Sequence, residues 1–223
     1  MIKPLIMSFI LICLFLTGIN TVSAWNYNTH QEIVESNYNS MPADIKQNLN
    51  LNAMKDGSDD PDFRFMDFKN HGYPNSYGKA EEWLNKGQYY YKNGDYYYAS
   101  YCYGVASHYI TDSFSAPHTA GASGPNHTLY EAKASFLSPQ IIQSTGDLNS
   151  AMSEEQLSGK NNWNNWLKSE DNFIIQSDLN KATSVSYNTM YESINNLDSN
   201  KYPVEEKKSS FQNSLSMLLI SLI

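Results

Sequence analysis

Two pairs of acidic and histidine side chains, each spaced four residues apart, constrain the fold of this chain more than any other feature. Residues 107–131 read SHYITDSFSAPHTAGASGPNHTLYE and contain His108 with Asp112, then His118, then His127 with Glu131. Side chains at positions i and i+4 lie on the same face of a helix, one turn apart. Imidazole and carboxylate are also ligands that zinc accepts in open catalytic sites. The stretch therefore predicts two helices, joined by a loop, that can hold more than one metal ion.

The overall composition limits the classes of function. The chain has 223 residues, enough for one substantial domain with a sizeable core. Its net charge of −8 and its pI of about 5 give no general basic surface that would attract nucleic acid or an anionic membrane. Of the two cysteines, Cys13 lies in the N-terminal apolar segment, and only Cys102 would remain after export. We therefore expect stability to come from the core and from metal rather than from an intrachain disulfide.

The N-terminal segment has the features of a secretory signal peptide. Lys3 provides the positive start, residues 4–18 form an apolar run, and Val22-Ser23-Ala24 is a small-residue cleavage signal. An uncleaved membrane anchor is the alternative, but the run is short for a full span. We predict a cleaved signal peptide at residues 1–24 and a single helical domain at residues 25–223, with Trp25 as the new N-terminus. The mature protein would be secreted or exposed at the cell surface.

The remaining sequence predicts an all-α fold. Predicted helices run from Gln31 to Tyr38 with Thr29 as N-cap, from Ser40 to near Gly57, from Lys79 to Lys92, from Asp95 to Asp112, from Asn126 to Ser144, from Leu179 to Leu197, and from Val204 to Ile223. The tyrosines between positions 89 and 109 follow helical spacing, which favours core packing over an aromatic ligand platform. A long loop, rich in aspartate and aromatic residues, is predicted between Gly57 and Gly78.

Further candidate ligands precede the opening stretch. Cleavage after Ala24 would leave the amine and the carbonyl of Trp25 able to chelate a metal, and His30 follows five residues later. Asp62 and His71 lie in the predicted loop. Taken singly, each of these residues is more often structural, and the neighbouring Asp59, Asp60 and Asp67 are interpreted as solvated turn acids. All five histidines of the chain nevertheless fall into one spacing pattern, which favours a shared metal site.

The order of these motifs resembles that of the zinc-dependent phospholipase C family, which includes the catalytic domain of the clostridial α-toxin. The matching segments are WNYNTH, DDPDF, KNHGYP, HYITD, SAPH and NHTLYE, between Trp25 and Glu131. The resemblance implies a single-domain multi-helix bundle, a fold shared with single-strand-specific zinc nucleases. It also implies three zinc ions: one held by Asp62, His71, His108 and Asp112; one by Trp25, His30 and a bridging Asp112; and one by His118, His127 and Glu131.

The same resemblance implies a phosphodiester hydrolase. Asp62 would orient or deprotonate the attacking water, and the substrate would be a phospholipid cleaved on the glycerol side of its phosphate by a monomer in transient contact with a membrane surface. Phe63, Phe65 and Tyr73 could contact a headgroup, an acyl chain or a base, or simply pack the loop. The short spacing from Trp25 to His30 is closer to that of the nucleases. A zinc nuclease or nucleotidase, which would bind nucleic acid, is therefore one alternative. A non-catalytic exported zinc-binding protein is another.

Overall fold

The computed structural model describes residues 25–142 and 147–196, and within these ranges the chain forms nine α-helices and no β-strand. The helices are α1 (Tyr27–Ser40), α2 (Ala43–Lys46), α3 (Leu51–Phe63), α4 (Asn75–Lys92), α5 (Tyr96–Asp112), α6 (Ala116–Thr119), α7 (Pro125–Ala134), α8 (Leu148–Ser169) and α9 (Asn172–Asn195), with a 3₁₀ turn at Phe68–Asn70. The predicted all-α class is confirmed.

Helix α5 is the centre of the bundle. It packs mainly against α3 and α4, and also against α1 and α9. Asp95 caps its N-terminus by accepting the backbone N–H of Tyr98 at 3.1 Å. Every residue from 102 to 112 is buried, because the sequence there, apart from His108 and Asp112, is aromatic, aliphatic or small on all sides of the helix. The two site residues of this helix, His108 and Asp112, are thus enclosed by protein.

Two glycines allow α3 and α5 to approach until their backbones are in contact. A Cβ atom on Gly57 would overlap the carbonyl oxygen of Tyr101, and one on Gly104 would overlap the carbonyl oxygen of Met54. Each glycine therefore faces the backbone of the opposite helix, with no space for a side chain. This approach brings the α3 residues that follow Gly57 against the C-terminal half of α5.

The helix predicted from Ser40 to Gly57 is divided in the structure, and it does not end at Gly57. A new helix, α3, begins after Asn50, whose side chain accepts the N–H of Ala53 at 2.9 Å. Gly57 lies inside α3 because it is needed for the contact with α5. The helix then continues through Pro61 to Phe63, so Asp62 lies on a helix rather than in a long loop.

Other helix boundaries also differ from the prediction. Helix α1 starts at Tyr27 and is capped by Asn26 rather than Thr29, α4 starts at Asn75, and α7 ends at Ala134 instead of reaching Ser144. Helix α8 was not predicted because its sequence is rich in asparagine. Its buried side nevertheless has helical spacing, with Met152, Glu155, Gly159, Trp163 and Trp166.

Some predictions concern residues outside the described ranges. The signal peptide at residues 1–24 and the final helix at residues 204–223 are among them, so both stay predictions. Among the helices of residues 25–142 and 147–196, none has the length and apolar character needed to span a membrane.

Candidate metal centre

The carboxylate of Asp112, at the C-terminal end of α5, has three histidines around it. Its Oδ1 atom lies 3.1 Å from Nε2 of His30, which comes from α1. Its Oδ2 atom lies 2.9 Å from Nδ1 of His71 and 3.2 Å from Nε2 of His108. The two oxygens therefore face different histidines. This arrangement suits a carboxylate that is shared between two metal ions.

Asp62, His71 and His108 form a second group around the Oδ2 side of Asp112. Asp62 Oδ1 lies 3.7 Å from His71 Nδ1 and 3.9 Å from His108 Nε2. These distances are long for hydrogen bonds. Two ligands bound to one tetrahedral zinc at about 2.0–2.1 Å each would stand roughly 3.4 Å apart, so the observed separations are close to those of ligands around a common ion.

A third group consists of His118, His127 and Glu131. Helix α7, which starts with Pro125 in its first turn, carries His127 and Glu131 on one face, with His127 Nε2 2.5 Å from Glu131 Oε1. The short helix α6 brings His118 Nε2 to 3.7 Å from the same oxygen. Together, all eight predicted side-chain ligands fall into three groups whose potential ligand atoms lie within 4.8 Å of one another.

Backbone and hydroxyl groups fix the orientation of three histidine rings. Nδ1 of His108 lies 2.7 Å from the carbonyl oxygen of Ser58, and Nδ1 of His127 lies 3.0 Å from that of Ala122. A carbonyl can only accept, so these Nδ1 atoms carry the proton and Nε2 is left for a metal. Thr111 donates its hydroxyl to the carbonyl of His108 and can accept from Nδ1 of His30 at 3.2 Å.

The buried polar atoms at the centre provide a test of whether a metal fits. The buried atoms that lack a well-directed hydrogen bond include Nε2 of His30, Nδ1 of His71, Nε2 of His108 and both oxygens of Asp112. Several of these atoms are nevertheless 2.9–3.2 Å apart, so they point towards shared positions rather than at one another. Leaving buried polar atoms unsatisfied is costly. A set of imidazole and carboxylate donors without sulfur fits zinc.

The electrostatics of the centre also favour bound cations. Burial alone would raise the pKa of Asp112, but His108, His30 and His71 outweigh it and hold that pKa well below its usual value. Burial lowers the pKa of His108, yet Asp112 and Asp62 more than compensate and raise it to about 9. The pKa of His30 is lowered, first by burial and then by His108. Asp112 therefore stays ionised, and metal ions would compete with protons for the same nitrogens.

Trp25 is held beside the centre by its indole group. The side chain is buried, its Nε1 donates to the carbonyl of Thr111 at 2.9 Å, and its ring lies 5.8 Å from that of Tyr130. Thr111 immediately precedes Asp112. The next residue, Asn26, caps α1 and so starts the helix that carries His30. Chelation by the Trp25 amine stays a prediction, because it requires cleavage after Ala24.

Three aspartates near the site have structural contacts that the sequence reading missed. Asp59 accepts from the side chain of Gln31 at 2.6 Å, Asp60 accepts the hydroxyl of Tyr101 at 2.5 Å, and Asp67 accepts the hydroxyl of Tyr109 at 2.9 Å. They are partly buried, so the interpretation as solvated turn acids was wrong. Ser58 was also missed, although its position four residues before Asp62 places both on one face of α3.

Comparisons with known proteins show the family and the fold of this chain. A family model described as zinc dependent phospholipase C matches residues 29–199. Among solved structures, the alpha toxin from Clostridium absonum superimposes with a TM-score of 0.63 and 14% sequence identity, covering 85% of this chain and 68% of that chain. The alpha-toxin of Clostridium perfringens, isolated from an avian strain, gives a TM-score of 0.61 and 15% identity over the same shares. A search of curated proteins finds no match.

Proposed function

Because the chain belongs to the zinc-dependent phospholipase C family, we propose that it is a secreted enzyme that uses three zinc ions to hydrolyse phospholipids. The bond cleaved is the phosphodiester bond on the glycerol side of the phosphate. The observation that carries this proposal is the set of three neighbouring ligand groups, two of which meet at the opposite oxygens of Asp112.

The ligand assignment follows the three groups. The first ion would be held by Asp62, His71, His108 and one oxygen of Asp112. The second ion would be held by His30, by the other oxygen of Asp112, and by the amine and carbonyl of a processed Trp25. The third would be held by a group on α6 and α7 consisting of His118, His127 and Glu131. Asp112 would thus contribute to holding both the first and the second ion.

Asp62 is the proposed catalytic residue. When bound, zinc would lower the pKa of a water molecule and polarise the phosphate ester. The Asp62 carboxylate, at the end of α3 and close to His71 and His108, would orient the water and accept its proton. Its side chain is nearly buried, which excludes bulk water from the proton transfer.

The overall reaction adds one water across one bond. The water oxygen forms a new bond to phosphorus while the bond from phosphorus to the glycerol oxygen breaks. The proton taken up by Asp62 is returned to solvent, and the glycerol oxygen acquires a proton. The products are a diacyl- or dialkyl-glycerol and a phosphorylated headgroup.

The experiment uses the secreted protein, purified without chelators. It measures the zinc content and the hydrolysis of different substrates. We expect about three zinc ions per chain, as its ligand sets require, and release of phosphocholine-type headgroups from phospholipid. Hydrolysis of single-stranded DNA alone would instead support the nuclease alternative. Bound zinc without hydrolysis of any phosphodiester would support a non-catalytic zinc-binding protein. Intact mass would show whether the chain starts at Trp25.

Asp62→Asn tests the assignment of the catalytic residue. The amide keeps the size of the side chain but cannot accept the proton, so we expect a loss of turnover of at least about 100-fold with the fold retained. Circular dichroism and zinc content of the variant serve as the controls. Wild-type turnover in this variant would remove Asp62 from the proposed mechanism.

A further inference from the structure

A groove of about 770 Å³ lies beside the candidate metal centre, lined by residues of α3, α4 and α5 and by the turn that follows α3. It shares no residue with the three ligand groups. On α3, Ser58 and Asp62 face His108, whereas Asp56, Asp59 and Asp60 line the groove. The groove is therefore lined by different residues of the same helix and adjoins the centre without including its candidate ligands.

One wall of the groove consists of aromatic rings in contact with one another. Phe65 stacks on Trp83 with 5.7 Å between ring centroids, Trp83 meets Tyr101 edge-on at 6.0 Å, and Tyr101 stacks on Tyr98 at 5.6 Å. Tyr97, at the groove's edge, is 59% exposed. The ring of Trp83 already has the Lys86 ammonium 4.0 Å from its centroid. Because Lys86 and Phe65 already contact Trp83, a ligand cation would meet the exposed rings of Tyr97 and Tyr98 instead, whose faces attract organic cations in the same way.

The charges that line the groove favour the same kind of ligand. Asp56, Asp59 and Asp60 contribute carboxylates, and Arg64 is the cationic side chain among the lining residues. Arg64 lies 3.3 Å from Asp60 and is 73% exposed, so its guanidinium group reaches the solvent edge. An acidic groove repels the phosphates of nucleic acid. It suits a ligand with a positive end inside the groove and a negative group near Arg64.

We propose that this groove binds the trimethylammonium end of a zwitterionic phospholipid headgroup and so docks the enzyme on a lipid surface. Trimethylammonium is attracted both by aromatic faces and by carboxylates, and the phosphate of the same headgroup would lie towards Arg64. The docked lipid is a different molecule from the one being hydrolysed. This inference rests on the proposed function for its lipid ligand, while the choice of a cation rests on the groove itself.

Binding to vesicles tests the proposal without turnover. The vesicles contain a phosphonate analogue of phosphatidylcholine, in which carbon replaces the scissile oxygen, and the zinc-loaded protein is sedimented with them. Asp56→Asn removes a groove charge and Tyr98→Leu removes an aromatic ring. Each is expected to weaken binding by about 3- to 10-fold, the size expected for losing one contact to a cation. Asp44→Asn on α2 and Tyr191→Leu on α9 make the same chemical changes at exposed positions elsewhere and should bind as wild type does.

Two outcomes would overturn the proposal. One is equal vesicle binding by all four variants, and the other is equally strong wild-type binding to vesicles of phosphatidylglycerol, which lacks the ammonium group. Hydrolysis of a soluble phosphocholine ester measures the proposed function separately and should be unchanged in Asp56→Asn and Tyr98→Leu. Groove-dependent vesicle binding without any hydrolysis by the wild type would refute the enzyme while retaining the docking surface.

Discussion

The substitution Gly57→Ala tests whether the contact between α3 and α5 holds the metal centre together. An added Cβ would overlap the carbonyl oxygen of Tyr101 and would lie 3.0 Å from both the carbonyl carbon of that residue and the backbone nitrogen of Val105. All three atoms are backbone, so the helices must separate. Overpacking of this kind costs about 1–3 kcal/mol, and it exceeds the gain of about 0.5–1 kcal/mol that alanine brings to a helix.

The separation should also weaken metal binding. The next residue, Ser58, accepts from Nδ1 of His108 at 2.7 Å, and Asp62 lies one turn further along α3. Moving α3 away from α5 would shift both groups, so we expect lower unfolding free energy in urea together with a lower zinc content. Gly78→Ala in α4 is the matched control, because nothing lies within 4 Å of its added Cβ. Wild-type stability and zinc content in Gly57→Ala would refute the reasoning.

Three further predictions follow from other contacts. Thr111→Val removes the hydroxyl beside Nδ1 of His30, so zinc affinity measured by chelator competition should fall by about 10- to 100-fold; unchanged affinity would contradict this role. Burial, followed by Glu155, raises the pKa of Asp178 to about 7. The protonated side chain should therefore contribute fully to the free energy of unfolding below about pH 4. That contribution should be lost as pH rises through 7, with a total decrease of up to about 4 kcal/mol. Asp178→Asn should flatten that part of the urea-unfolding pH profile, and an unchanged slope would exclude Asp178 as its source. Zinc chelation should lower the melting temperature, because the buried carboxylate of Asp112 loses its compensating charge and the buried nitrogens of His30 and His71 lose their bonds to the metal; an unchanged melting temperature would argue against metal binding.

The residues of the candidate centre were predictable because their spacing follows local rules. His108 with Asp112, and His127 with Glu131, lie one turn apart on helices whose existence the sequence also predicted. His30 and His71 were found from the order of motifs rather than from a local pattern. The way in which they meet Asp112 depends on tertiary packing of α1 and of the turn after α3 against α5, which spacing alone does not determine.

The errors have a common physical origin in helix packing. Gly57 predicted a helix end, yet the missing side chain serves the contact with Tyr101. The many asparagines of α8 disfavour a helix locally, yet Trp163 and Trp166 bury one side of it against Tyr130. Gly57 is thus tolerated inside a helix because of what it contacts, whereas in α8 the burial of two tryptophans outweighs the low helix propensity of the asparagines.

The position of the Asp112 carboxylate links the fold to the proposed metal site. Asp112 is fully buried, and the residues that face it come from α1, from the turn after α3, and from α5 itself. A buried carboxylate among histidines is stable only when positive charge compensates it. Protons can supply that charge, as the raised pKa of His108 indicates, but only up to about pH 9, whereas zinc would supply it at any pH at which it stays bound. Metal binding would thus join three separate chain segments around one residue. The packing of α1 against α5 should depend on zinc most strongly, because α1 carries His30.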